Sequence, residues 1–219
     1  MLYSLEAAKA NIRNRDGKRV FYLGKNDQLT SQARDYLTQE RIEILSAHLA
    51  KPERYRLLSG GYLEEKPEYM THLHGDVLVP KTHPRIRFRG AMDTLEGELL
   101  LCGSGVDEIL QLARRLIRCE VLDEPVGEFT LYGLDAAQQR SHSHFPQEYY
   151  GQPHFMPDFS DSAYLLQLNR ARCTARNAEL AATAAFTDAD GNVRRGDILT
   201  ALNRMSSMLY ILMIREKAK

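Results

Sequence analysis

From residue 84 onward, apolar side chains recur at the spacing of one helix face, and this constrains the chain more than any other feature. Phe88, Met92, Leu95, Leu99 and Cys102 follow one another at steps of 4, 3, 4 and 3, so they share a stripe on one helix. Pro84 suits the first turn of that helix, where its missing N–H costs no hydrogen bond, and Gly103-Ser-Gly105 ends it. A second helix is expected over about Val106–Val121, with Ile109, Leu112, Ala113, Leu116 and Ile117 inward. A third, over about Ser162–Phe186, carries Tyr164, Leu168, Ala171, Ala175, Ala178, Ala182 and Ala185 on its seam. Small residues there permit a close neighbour. A fourth, over about Asp197–Glu216, places Ile198, Leu202, Met205, Leu209 and Leu212 in register. With a shorter helix near Leu134–His142 in the polar 123–161 stretch, the favoured architecture is an all-α helical bundle.

The first 83 residues read differently. Arg19–Leu23 is rich in strand formers, Gly24–Asp27 is a turn, a helix starts near Leu29–Ser31, and Ile42–Leu45 is extended again. This predicts a small strand–helix–strand extension over residues 1–50. Residues 51–83, rich in Pro, Gly, Tyr and charge, are expected to be a linker or loop region, and residues 84–219 the helical domain.

Charge and cysteine usage exclude several classes. Lys+Arg 29 balances Asp+Glu 29, so there is no global field for nucleic acid or an anionic membrane. Cys102, Cys119 and Cys173 are widely spaced and odd in number, which argues against a disulfide framework and for a reducing compartment. The N-terminus lacks a secretory pattern, and the longest nearly uncharged stretch, Ile198–Ile214, carries Asn203 and Arg204 in its middle and is short for a bilayer span. A cytoplasmic protein without membrane or nucleic-acid partners is expected. There is no G-x-x-x-x-G-K-[ST] loop and no G-x-G-x-x-G after a strand.

Candidate chemistry lies in polar stripes beside the apolar seams. Arg172, Arg176 and Glu179 stand at i, i+4 and i+7, one position from Ala171, Ala175 and Ala178. Arg85, Arg89, Asp93 and Glu96 form a comparable ladder, and Asn203, Ser207 and Tyr210 line one face with Arg204 beside them. These stripes have two readings: a cationic pocket for a polyphosphate, with acids orienting the guanidinium groups, or intrahelical ion pairs on a solvated face. Asn203 in mid-helix, a position of low propensity, favours the first.

Residues 70–96, from Met70-Thr-His-Leu-His74 through Lys81-Thr-His-Pro-Arg85 to Glu96, resemble ATP:cob(I)alamin adenosyltransferases of the ethanolamine-utilisation type. Arg195–Ser207, containing Leu202-Asn-Arg-Met-Ser206, and the leader segments Leu29–Arg34 and Ile42–Ile44 resemble them too. The Arg172…Arg176…Glu179 spacing is similar to the R-x-x-x-R-x-x-E helix of the propanediol-utilisation type. The resemblance implies a five-helix-bundle homotrimer, with sites between subunits that transfer the 5′-deoxyadenosyl group of ATP to cob(I)alamin and release triphosphate.

By that resemblance Arg172 and Arg176 contact the triphosphate, Asp93 pairs with Arg172, and Glu179 supports Arg176. Lys81, with Arg85 and Arg89 as further candidates, and Asn203 serve ATP. Phe155, with Phe159 as runner-up, displaces the lower axial ligand of the cobalamin. Mg²⁺ rides on the phosphates, with no protein ligand identified. A reductase, an adenosylcobalamin-dependent lyase and association with a bacterial microcompartment are further implied. One departure is clear. Some ethanolamine-type members carry an H…C-C-x-x-C cluster before the segment matching Lys66-Pro67, but Tyr55–Ser59 has no Cys, so no such metal site is expected. His72/His74 and His142/His144 read as solvated loop histidines. Ser207 stands where propanediol-type relatives have Asp. The competing functions are a non-catalytic corrinoid carrier or chaperone and a structural microcompartment protein.

Overall fold

The computed structural model describes residues 2–15, 17–46 and 54–219. The start and end of the expected 1–50 extension (Met1 and residues 47–50), its Asp16, and the first three residues of the expected linker lie outside these. The chain divides into two units, one of residues 1–83 with Arg118–Glu124, the other of residues 84–117 and 125–219.

The first unit holds short strands and two helices. β1 (Leu2–Tyr3) pairs with β4 (Gln28–Leu29), and β2 (Ile12–Arg15) runs antiparallel to β3 (Lys18–Leu23). β3 pairs in parallel with β5 (Glu43–Ser46), through a crossover carrying α2 (Ser31–Gln39). Thr30 starts α2 by accepting the Ala33 N–H at 3.3 Å, an ordinary N-cap. Ala8 of α1 (Leu5–Ala10), Ile12, Phe21, Ala33, Leu37, Ile42 and Leu122 form one buried cluster.

Within the expected loop region 51–83, the described residues include a four-stranded sheet joined by turns. β6 (Tyr55–Leu57), β7 (Tyr62–Leu63), β8 (Met70–His74) and β9 (Val77–Pro80) are ordered β7-β6-β9-β8. Val77, Leu78 and Val79 are all buried, so β9 is covered on both faces and shows no alternation. Strands of two to five residues are too short for a period-2 pattern to stand out. The β8–β9 turn requires Gly75: its φ is +51°, and a Cβ there would lie 2.7 Å from the Asn14 carbonyl oxygen.

The second unit is helical. α3 (Pro84–Leu101) begins at the expected proline, and Gly103, at φ +75°, follows it into a 3-10 turn, a backbone state that glycine adopts without strain. α4 (Asp107–Leu122) follows, then α5 (Ala136–His144), whose N-terminus carries a reciprocal capping box between Asp135 and Gln138, and α6 (Pro146–Tyr150). α7 (Ala163–Phe186) starts at Ser162, whose hydroxyl accepts the Leu165 N–H at 3.1 Å. α8 (Gly196–Lys217) completes the unit.

α7 packs between α3 and α8, and α5 packs on α8. Ala171, Ala175, Ala178 and Ala182 are fully buried on the α7 seam. At its ends the seam passes to Leu165 and Phe186, rather than to Tyr164 and Ala185. A straight helix has 3.6 residues per turn, so a strict 3.5-residue stripe drifts around it. Phe186 then meets Phe88 of α3 edge-on, with ring centroids 5.4 Å apart. α8 is buried on nearly every side, including Ala201, Met208, Ile211 and Met213. Of its polar residues, Arg204 and Ser206 are buried, while Asn203, Ser207 and Tyr210 are half-buried. Among the described residues no helix is long and apolar enough to cross a membrane.

Asp197 fixes the start of α8. Its carboxylate takes the Arg195 guanidinium at 2.9 and 3.0 Å and accepts the Val126 N–H at 3.0 Å. Burial alone would raise this carboxyl, but the Arg195 and Val126 donors outweigh it and hold it at about 2, below the ordinary 3.8. A carboxyl depressed in the folded state stabilises it above pH 4, and that contribution fades as pH falls towards 2. Asp197→Asn should cost about 2 kcal/mol at neutral pH, a fall of about 4–8 °C in Tm. The wild-type advantage should vanish when unfolding is repeated near pH 2.

Candidate functional site

α5, the segment after α6, α7 and α8 enclose a cleft of about 810 Å³ in the second unit. Two kinds of side chain line it. The cationic ones are Arg140 from α5, Arg172 and Arg176 from α7 and Arg204 from α8. The apolar and aromatic ones are Phe155, Met156, Pro157, Tyr210 and Met213. None of the lining residues is Asp, Glu, Lys or Cys.

The i, i+4 spacing brings Arg172 and Arg176 together on the cleft side of α7. Neither has a carboxylate partner among the described residues, so intrahelical ion pairing does not account for their stripe. The Arg172 guanidinium lies 5.3 Å from the centre of the Tyr210 ring, within cation–π range. Asn203 lines the cleft, and its Nδ2 donates to Glu179 Oε1 at 2.9 Å. Glu179 thus supports the asparagine of the next helix. Arg204, 8% exposed, donates to the Asn203 side-chain oxygen and to the Ala136 carbonyl, while its Nε is buried without a partner. Burial, then the neighbouring Arg140, makes this guanidinium less basic than usual, and Glu179 opposes both. The Asn203 amide is therefore held at both ends, which accounts for an asparagine in mid-helix.

Other expected site residues are not brought to this cleft. Asp93 is exposed on α3 and has no ion pair among the described residues; Arg172, its expected partner, lies over Tyr210 instead. Arg85 and Arg89 are half-buried on α3 and do not line the cleft. Glu96, from the same ladder, pairs with Arg114 of α4 at 2.6 Å. Lys81 follows β9 in the first unit, where it pairs with Glu68 at 3.1 Å and holds that carboxyl below the usual range. Phe155 lines the cleft, whereas Phe159 is fully exposed and does not. His142 and His144 stand on α5 rather than in a loop, and His142 stacks on Tyr149 at 3.8 Å between ring centres. His72 and His74 are on β8.

Sequence reasoning missed Arg140 and gave Tyr210 and Arg204 no role beyond their stripe. Arg140 sits on a nine-residue helix with no periodic partner, so only the tertiary fold reveals it. Tyr210 was detectable as the third member of the Asn203–Ser207 face. Among the described residues no cluster of three or more His, Cys, Asp or Glu side chains could hold a metal ion.

Together these features describe a helical unit whose cleft is lined by four arginines together with apolar and aromatic side chains. The cobalamin adenosyltransferase family model matches residues 61–216, which include every residue of the cleft, and the chain belongs to that family. It is 33% identical over 163 residues to the corrinoid adenosyltransferase EutT of Salmonella typhimurium strain LT2, and 31% identical over the same length to that of Escherichia coli K12. Each match covers 71% of this chain but 61% of the relative, so the chain spans about three fifths of the length of these proteins.

Proposed function

We propose that the protein transfers the 5′-deoxyadenosyl group of ATP to cob(I)alamin, giving adenosylcobalamin and triphosphate. The cobalt of the reduced corrinoid supplies the electron pair that forms the Co–C5′ bond. The C5′–O bond breaks, and its electrons leave with the triphosphate. The protein then needs no nucleophile of its own. Its part is to align the reactants and to stabilise the departing charge. The observation that carries this reading is the pair Arg172 and Arg176, which have no carboxylate partner among the described residues and line the same cleft as Phe155 and Tyr210.

In this reading Arg172 and Arg176 hold the triphosphate, while Asn203, fixed by Glu179 and Arg204, contacts the nucleotide. Phe155 approaches the lower axial face of the corrin. Mg²⁺ is carried in on the phosphate oxygens. α3, α4, α5, α7 and α8 form the five-helix bundle, and three copies assemble with sites between subunits. Such an assembly would bring Arg85, Arg89 and Asp93 of one copy, and Lys81 of the 51–83 segment, to the cleft of another. Residues 1–50 serve as an extension to the bundle. The resemblance of residues 70–96 and Arg195–Ser207 to the ethanolamine-utilisation type supports a setting in which a reductase precedes the reaction and a lyase receives the product, in the cytoplasm or at a microcompartment.

Binding to the cleft arginines is testable without corrinoid. Tripolyphosphate or Mg-ATP at about 100 times its dissociation constant should stabilise the fold by about 2.7 kcal/mol, raising Tm by about 5–10 °C. The shift should shrink in Arg172→Ala/Arg176→Ala. An unchanged Tm with both ligands would contradict the reading and would favour a structural protein.

A further inference from the structure

The segment between α6 and α7 reaches the cleft through His154, Phe155, Met156 and Pro157; Tyr210 of α8 hydrogen-bonds it there, and Lys217 of the same helix lies 5.7 Å from the centre of the Phe155 ring. The Tyr210 oxygen lies 3.2 Å from the Phe155 backbone nitrogen and 3.1 Å from His154 Nδ1, and His154 Nε2 lies 3.0 Å from the His144 carbonyl oxygen. A carbonyl can only accept, so Nε2 carries the hydrogen. Nδ1 then accepts from the Tyr210 hydroxyl, whose oxygen accepts the Phe155 N–H. Every group in this chain has one consistent role.

The Tyr210 ring touches both kinds of lining residue. It stacks near His154 and Phe155, each with its ring centre 5.8 Å away, while the Arg172 guanidinium sits 5.3 Å from the same ring. His154 is exposed and Met156 is 88% exposed, with Phe155 and Pro157 only half-buried, so none of the four is anchored in the core.

We propose that Tyr210 is a positioning residue: its hydroxyl clasps the His154–Pro157 segment and sets Phe155 on the cleft wall beside Arg172. The clasp governs entry and seating of the corrin macrocycle, and leaves the arginines of the cleft unchanged. That consequence for the corrinoid rests on the adenosyl-transfer reading; the clasp itself does not.

Tyr210→Phe keeps the ring and removes only the hydroxyl. Hydrogen exchange of the free protein reads the clasp directly, because the Phe155 amide is one of its bonds. Exchange at Phe155 should accelerate about tenfold, the scale of losing one to two modest hydrogen bonds, while the amides of α7 near Ala175 keep wild-type protection. Unchanged protection at Phe155 would overturn the proposal, and so would a uniform acceleration along α7, which reports global loosening. In turnover, the same variant should raise KM for the corrinoid at least fivefold and leave KM for ATP within about twofold. Equal changes in both, or a loss confined to kcat, would overturn the positioning role. Absence of turnover in the wild-type protein would instead reject the adenosyl-transfer reading, with the exchange result still deciding the clasp.

Discussion

Arg176→Ala should lower the rate of adenosyl transfer at least ~100-fold, the scale of losing a charged donor to a departing anion, with little effect on folding. Arg176 is exposed on α7 at the cleft and has no carboxylate partner among the described residues. Its removal leaves no buried charge unpaired and opens no cavity, so stability should stay within about 0.5 kcal/mol. Arg176→Lys should recover part of the rate, because an ammonium keeps the charge but lacks the planar two-pronged donor. Anaerobic kinetics and a thermal melt on the same samples separate the two effects. Near-normal turnover in the alanine variant would place the leaving group elsewhere.

The neighbouring position should behave in the opposite way. Ala175 is fully buried on the α7 seam, which packs between α3 and α8. Ala175→Leu forces three carbons into a contact that small side chains keep close, and overpacking of this kind costs about 1–3 kcal/mol. The upper end is expected, because the added atoms have two helices to displace. Tm should fall by about 6–12 °C, whereas Leu180→Ala, at a position 69% exposed on the same helix, should move it by no more than a degree or two. An Ala175→Leu protein that melts with the wild type would contradict the close packing of α7.

These two adjacent residues also mark what was legible before the structure. The apolar period placed Ala175 inward, and the same period placed Arg176 at the seam's shoulder. The helix boundaries at Pro84, Gly103 and Ser162 were visible because each has a local backbone cause. The 55–80 sheet was not visible: its strands are two to five residues long, and the buried Val77–Val79 run has no alternation. At the site, the spacing of Arg172 and Arg176 was informative because both stand on one long helix. Arg140 and the clasp at Tyr210 depend on how α5 and the segment after α6 fold back onto α8, which no local pattern encodes. Asp93 illustrates the reverse. Its ladder on α3 was legible, yet within one chain it does not reach Arg172.

Anaerobic incubation of the protein with Mg-ATP and chemically reduced cobalamin, followed by the corrinoid absorbance, tests the central claim most directly. The account predicts ATP-dependent loss of the cob(I)alamin spectrum, growth of the adenosylcobalamin spectrum, and triphosphate in equal amount. A cob(I)alamin spectrum that persists with ATP present, in protein that is folded and binds tripolyphosphate, would contradict it.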